Sequence, residues 1–451
     1  MGKLFGTDGI RGVANEYPVT PEVALRVGRA CGYLFKDGDK KRHKILVGKD
    51  TRLSGYLLEM AITAGLCSMG VDCVMVGPIP TPGIAFLTQS IRADAGIVIS
   101  ASHNPYFDNG IKIFARDGFK LNDDIESELE RLILTDEIDN IRPTHNQVGK
   151  AMRIDDAAGR YLSYLKTTFP KELTLEGIKI VVDCANGAFY KIAPKVFEEL
   201  GAKVVSVGVS PDGENINKDC GALYPQHLSK HVKEEGADLG IALDGDGDRV
   251  IFCDERGEVL DGDKILAILA MDMIKEKRLK DNTIVATIMS NMALDDFMEG
   301  NGGKVVKVPV GDRYVVDELR KSALNLGGEQ SGHIVMLDYT TTGDGVIAAL
   351  QVLKAIISEN KPLSVLSKII TPYPQRLFSL KVKEKKEFLS IAAVKKAIEE
   401  AEKELASKRG RLNVRYSGTE PKIRVMLECR EEGVIVKWEQ VLRDVLKKHL
   451  C

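Results

Sequence analysis

A strand–helix–strand pattern that recurs along the chain constrains the fold more than any other feature. The apolar runs Ile45-Leu46-Val47-Gly48-Lys49-Asp50, Ile180-Val181-Val182-Asp183-Cys184-Ala185 and Ile284-Val285-Ala286-Thr287 lead a helical pattern each. A glycine and a valine-rich run follow at 70–76, 201–207 and 303–308. Such alternation predicts βαβ units, in which a parallel sheet is covered by helices. The next segments align as well. Ala93-Asp94-Ala95-Gly96-Ile97 leads to Ser102 as Ala237-Asp238-Leu239-Gly240-Ile241 leads to Asp246, with Ala, Asp, Gly and Ile shared. Residues 324–328, leading into Glu329, are a weaker third counterpart. Open α/β sheets bind ligands beyond the carboxyl ends of their strands. The loops carrying Ser102, Asp246 and Glu329 are therefore expected at equivalent edges.

After Thr371-Pro372-Tyr373-Pro374 the pattern changes. Residues 378–382 alternate as a strand, 387–408 read as one long amphipathic helix, and strand-like runs at 412–415 and 423–427 precede a final helix. The fold class is thus α/β: three related mixed α/β domains plus a smaller C-terminal α+β domain. The boundaries are read at 1–153, 154–254, 255–370 and 371–451.

Lys and Arg number 63 against 65 Asp and Glu, and the net charge of −2 offers no broad field for nucleic acid. Eight cysteines without C-x-x-C spacing read as reduced, buried thiols. Met1-Gly2-Lys3-Leu4-Phe5-Gly6 lacks the apolar run of a signal peptide, and no stretch is apolar over a membrane-spanning length. A cytoplasmic location is the expectation.

Four loops carry chemistry. Ser100-Ala101-Ser102-His103-Asn104-Pro105 follows an apolar strand, and either serine could be a nucleophile if a base and a stabilising charge are brought to it in space. Asp244-Gly245-Asp246-Gly247-Asp248-Arg249 places carboxylates at alternate positions, which can converge on one hard cation. An EF-hand is excluded because Arg249 stands where its turn needs glycine and the flanks read as strands. Three protein oxygens plus a phosphoryl oxygen suit Mg²⁺. Gly327-Gly328-Glu329-Gln330-Ser331-Gly332-His333 offers donors and acceptors to sugar hydroxyls. Arg415-Tyr416-Ser417-Gly418-Thr419-Glu420-Pro421, with Arg424, reads as a phosphate cradle, although no Walker P-loop pattern is present. His227 and His231, spaced i, i+4 among lysines with no third ligand evident, read as a solvated helix face.

These loops, in this order and over essentially the whole chain, resemble the α-D-phosphohexomutase family. Gly6-Thr7-Asp8-Gly9-Ile10-Arg11-Gly12, the Ser100–Pro105 loop with Asp108-Asn109-Gly110, and Glu329-Gln330-Ser331-Gly332-His333 are similar to its bacterial branch acting on glucosamine phosphates. Tyr416 and Asn413 depart from the usual wording of the phosphate loop.

The resemblance implies a heart-shaped four-domain enzyme, an isomerase that interconverts glucosamine 6-phosphate and glucosamine 1-phosphate. Phospho-Ser102 and a 1,6-bisphosphate intermediate would carry the reaction, which feeds UDP-N-acetylglucosamine and cell-wall synthesis. Ser102, Lys112, Arg11 and His103 would be catalytic, with Lys112 as general acid/base. One Mg²⁺ per chain would sit on Ser102, Asp244, Asp246 and Asp248. Arg249, Glu329, Ser331, His333, Arg415, Ser417, Gly418, Thr419 and Arg424 would bind substrate. A hexosamine or hexose 1,6-bisphosphate would be the activator, and a homodimer is implied in the same way. The competing readings are a mutase acting on mannose or glucose phosphates, a metal-dependent sugar phosphatase, and a non-catalytic phosphosugar-binding protein.

Overall fold

A computed structural model describes residues 4–6, 8–36, 42–416 and 421–450. They fall into two compact units, Met1–Met289 with Gly302–Ile369 and Ser290–Asn301 with Ile370–Cys451.

The first unit repeats one strand arrangement in its sheets. Lys44–Lys49 lies parallel between Asp72–Pro78 and Ala95–Ile99, and Asp108–Ala115 returns antiparallel beside Ala95–Ile99. Lys179–Asp183 lies in the same way between Lys203–Val207 and Leu239–Leu243, with Val250–Asp254 as the antiparallel return. Thr283–Thr287 lies between Lys304–Val308 and Leu326–Gly328, with Ile334–Met336 returning. The repeat expected from sequence is therefore a repeat of topology, including its weakest copy. Each sheet is mixed because the loop after the third strand turns back instead of crossing over. Those turning loops hold Ser102, Asp244 to Asp248, and Glu329.

A glycine in the third strand of each copy lets a covering helix come close. A Cβ on Gly96 would meet Thr88 Oγ1 at 2.1 Å, one on Gly240 would meet Val232 at 2.6 Å, and one on Gly327 would meet Val315 at 2.9 Å. Adding even a methyl at such a contact costs about 1–3 kcal/mol. The strands beneath are apolar throughout, Ala95–Ile99 and Leu239–Leu243 being buried at every position. Sheets covered on both faces read in this way.

In the second unit, the sheet order is Gln375–Lys381, Lys422–Glu428, Arg411–Tyr416, all antiparallel. The helices Ala392–Ser407 and Glu432–Leu450 bury Val394, Ala401, Leu405, Trp438 and Leu442 in its core. Residues 290–301, with the helix Met292–Gly300, join this unit although they lie far back in the chain. Glu428 explains the attachment: fully buried, it receives Arg411 at 2.8 Å and the Met292 N–H. The helix read over 387–408 begins only at Ala392. Ahead of it, Ser390 bonds back to the Glu387 carbonyl through both N–H and Oγ, closing a 3₁₀ turn at Phe388–Ser390. Serine competes with helix in this way, and the Phe388 ring meets Tyr416 edge-on at 5.5 Å.

Among the described residues the cysteines are free, six of the seven buried. No helix among the described residues is long and apolar enough to cross a membrane.

Candidate active site

Ser102 stands three residues beyond the strand Ala95–Ile99, with φ +51°, a left-handed conformation that costs a non-glycine residue about 1–3 kcal/mol. A fully buried network maintains it. Ser100 Oγ donates to Asp50 Oδ2 at 2.6 Å and accepts the Ser102 N–H at 2.9 Å. Arg52, 0 % exposed, pairs with Asp50 at 2.8 Å and donates to the carbonyls of Ser102 and Asn104, both at 2.8 Å, and to that of Pro105. Asn217 shares the Ser102 and Asn104 carbonyls at 2.9 and 3.1 Å. Ser100 is therefore a structural donor, and Ser102 is the serine whose hydroxyl reaches other functional groups.

The Ser102 hydroxyl donates to Asp244 Oδ2 at 2.7 Å, and His103 Nδ1 lies 3.2 Å from it. Burial, then Arg249 and Arg11, push the His103 imidazole down to about 4, so it is neutral near pH 7. The return strand Asp108–Ala115 carries Lys112, whose Nζ lies 3.0 Å from Asp246, 3.2 Å from Asp8 and 3.5 Å from Asp248. Burial alone would lower its pKa, but these three carboxylates outweigh burial and raise it. Its positive charge is thereby matched to the carboxylates around it. Arg11 is held by Asp8, and Lys120 bridges Asp8 to Asp312.

Asp244, Asp246 and Asp248 are 1 %, 1 % and 4 % exposed, and each offers an oxygen within 4.8 Å of the others. Asp244 Oδ1 accepts the N–H groups of Gly247 and Arg249, which folds the loop around it. Asp246 Oδ2 accepts Thr81 Oγ1 at 2.6 Å. The Oδ1 atoms of Asp246 and Asp248 are buried with no protein hydrogen-bond partner. Burial, then repulsion from Asp248 and Asp246, push the Asp244 carboxyl well above its usual range. Converging, under-partnered, hard oxygen donors fit a divalent cation such as Mg²⁺.

The third loop docks onto this one. Val250 N–H donates to the Gly332 carbonyl, and Arg249 pairs with His333 in a β-bridge. Glu329 is nearly buried with Oε1 on the Gly311 N–H, while Ser331 is exposed. His333 is 1 % exposed, with Nε2 3.6 Å from Asp312. Arg249 Nε lies 4.0 Å from Asp248 Oδ1. The structure brings Ser102, His103, Lys112, Arg11, the three aspartates, Arg249 and His333 into one charge network.

Arg415 and Arg424 belong to the C-terminal unit. They are exposed and stand directly opposite each other on adjacent strands. Like charges so placed favour an anion between them. Ser417, Gly418 and Thr419 lie outside the described residues.

Sequence reasoning passed over Asp50, Arg52, Thr81 and Asn217. Asp50 and Arg52 had a legible signal, since they follow the strand Lys44–Lys49 at the same sheet edge as Ser102. Asn217 had none, because it arrives from a loop 115 residues away.

A strained serine facing a buried carboxylate triad, with Lys112 beside it, is an arrangement suited to metal-assisted phosphoryl transfer. Comparison with known proteins sharpens the class. Residues 2–139, 159–257 and 261–373 match alpha/beta/alpha domains I, II and III of phosphoglucomutase/phosphomannomutase, and 377–444 match its C-terminal domain. The chain belongs to this family. It is 59 % identical over 450 residues to the phosphoglucosamine mutase of Pelobacter propionicus, covering 100 % of this chain and 99 % of that one. In fold it resembles a phosphoglucomutase/phosphomannomutase family protein of Burkholderia thailandensis, with TM-score 0.79, 24 % identity and coverage of 98 % and 97 %. It also resembles Aspergillus fumigatus N-acetylphosphoglucosamine mutase in complex with GlcNAc-6P and magnesium, with TM-score 0.67, 17 % identity and coverage of 98 % and 96 %.

Proposed function

We propose that the protein is a phosphoglucosamine mutase that interconverts glucosamine 6-phosphate and glucosamine 1-phosphate. The observation that carries this reading is the 2.7 Å approach of the Ser102 hydroxyl to Asp244 in a triad that also faces Lys112. The close relationship to proteins named phosphoglucosamine mutase supports the choice of sugar.

In the forward direction, the C1 hydroxyl of glucosamine 6-phosphate attacks the phosphorus of phospho-Ser102. The P–Oγ bond breaks, the sugar becomes the 1,6-bisphosphate, and Ser102 recovers a hydroxyl that donates to Asp244. The bisphosphate then turns over, and Ser102 attacks its 6-phosphoryl group to release glucosamine 1-phosphate. Little covalent work is asked of the protein, and most of the effect is placement and charge. Arg52 and Asn217 hold the backbone carbonyl of Ser102, while Lys112 and Arg11 present positive charge to the transferring oxygens. Neutral His103 sits within hydrogen-bond reach of Oγ. Asp244, Asp246, Asp248 and the phosphorylated Ser102 would hold Mg²⁺, which offsets charge on the phosphoryl group. Arg249, Glu329, Ser331 and His333 bind the sugar end, and Arg415, Ser417, Gly418, Thr419 and Arg424 hold the phosphate that is not reacting. A hexose or hexosamine 1,6-bisphosphate restores enzyme that has lost its phosphoryl group.

The test is a coupled assay with glucosamine, glucose and mannose 6-phosphates at equal concentration, with Mg²⁺ and trace bisphosphate, and phosphopeptide mapping of the same sample. Preferred turnover of the glucosamine ester with phosphate on Ser102 is expected. A tenfold preference for mannose, or phosphate release without isomerised product, overturns the reading.

A further inference from the structure

The helix Pro225–Glu235 holds a histidine pair that phosphoryl transfer does not use. His227 and His231 turn their Nε2 atoms toward each other at 3.3 Å, with the rings at 80° and centroids 4.7 Å apart. Without an ion, that separation allows one N–H···N hydrogen bond between the rings. Two ligands at about 2.0–2.1 Å from a tetrahedral Zn²⁺ stand about 3.3–3.4 Å apart, which is the spacing found here.

The second observation concerns what lies behind His227. Its Nδ1 is 3.1 Å from Oδ2 of Asp183, a carboxylate that is 0 % exposed at the end of the strand Lys179–Asp183. Asp183 also accepts the N–H groups of Ala185 at 2.9 Å and Gly221 at 2.8 Å. A carboxylate so placed accepts a hydrogen bond from Nδ1–H and so favours the tautomer whose Nε2 lone pair is free to ligate. Protein metal sites orient their histidines by this arrangement. The two histidine side chains are 33 % and 32 % exposed, so an ion and its waters can reach them.

The neighbouring lysines do not oppose binding. Lys230 faces Glu234 at 3.8 Å, and the end of Lys233 packs over Gly257. Glu234 lies 3.9 Å from His231 Nδ1 and adds negative charge on that side.

We propose that His227 and His231 form a two-histidine site for a first-row transition-metal dication, foremost Zn²⁺, separate from the carboxylate triad. Among the described residues no third His, Cys, Asp or Glu converges with the pair, so water completes the coordination. The two sites differ in chemistry. The oxygen-only triad suits a hard ion, whereas imidazole nitrogens select a borderline one. Excess Mg²⁺ therefore does not compete at the histidines.

Equilibrium dialysis of the full chain against Zn²⁺ in excess Mg²⁺ tests this. The wild-type protein is expected to retain one Zn²⁺ that His231→Gln binds at least tenfold more weakly. Asp244→Asn should retain that same Zn²⁺. In the NMR spectrum, Co²⁺ should shift or broaden the ring signals of His227 and His231 in the same titration. Equal Zn²⁺ retention by wild type and His231→Gln, no retention by wild type, or loss of the ion in Asp244→Asn overturns the proposal.

Discussion

Arg52 Nη2 donates to the carbonyl oxygen of Ser102 across 2.8 Å, from a guanidinium that is entirely buried. The strained donor serine is thus held from beneath by a residue that never meets substrate. Arg52→Lys keeps the charge but loses the planar fork that serves several carbonyls and Asp50 together. We expect kcat to fall by about 10²-fold with KM little changed, because misplacement of a reacting group by an ångström costs that much. Steady-state kinetics measure both; a rise in KM alone would contradict the positioning role.

The two serines of the loop should separate cleanly. Ser102→Ala removes both turnover and the covalent phosphate. Ser100→Ala loses the bond to Asp50 and the acceptor for the Ser102 N–H, a loss of about 1–3 kcal/mol. It should still carry phosphate on Ser102 and turn over more slowly. Intact-mass measurement with peptide mapping distinguishes the outcomes.

Metal removal should expose the cost of the triad. Without a cation, Asp248 is buried beside Asp246, and its Oδ1 accepts no hydrogen bond from the protein. In EDTA, Asp248→Asn should be more stable than the wild type by about 1 kcal/mol, while its mutase activity is lost. Urea unfolding with and without Mg²⁺ checks this, and the order of stabilities should reverse when Mg²⁺ is added.

A pH effect is built in at Asp344, which caps the helix Gly345–Glu359 through Val346 and Ile347 and meets the Tyr161 hydroxyl. Burial pushes its carboxyl up to about 6 from 3.8, against the lowering effect of these hydrogen bonds. Between those values the folded chain holds a proton that the unfolded chain has released, so this group's contribution to stability falls as pH rises from about 4 to about 6. The total is on the order of 3 kcal/mol. Asp344→Asn keeps a cap acceptor and cannot ionise. Its urea midpoint should therefore gain on the wild type from pH 4 to pH 6.5, and a constant difference would refute the assignment.

Much of this site was legible because its parts are local. Asp244, Asp246 and Asp248 are close in sequence, and their alternation already allows them to converge on a cation. Ser102 could be set in register with Asp246 because the same short pattern leads to both. His333 was also legible as a residue, though not as a buried one, since its exposure depends on the Arg249 bridge and the Asp312 side chain. The late start of the helix at Ala392 escaped for a similar reason. Periodicity continues through Phe388, and only the Ser390 back-bond and the Tyr416 ring break it.

The sequence by itself determined the repeated α/β architecture, the order of the chemical loops and a carboxylate triad able to hold a metal. These follow from periodicity and from residues adjacent along the chain. Only the tertiary structure brought the Ser102 hydroxyl to Asp244, Lys112 to Asp246, and His227 to Asp183. Each of those contacts depends on burial and on a partner far away in sequence: 142 residues separate Ser102 from Asp244, and 134 separate Lys112 from Asp246. Electrostatic strength rises as water is excluded. A charge pattern therefore acquires its chemistry only when folding brings the partners together and dries the space between them.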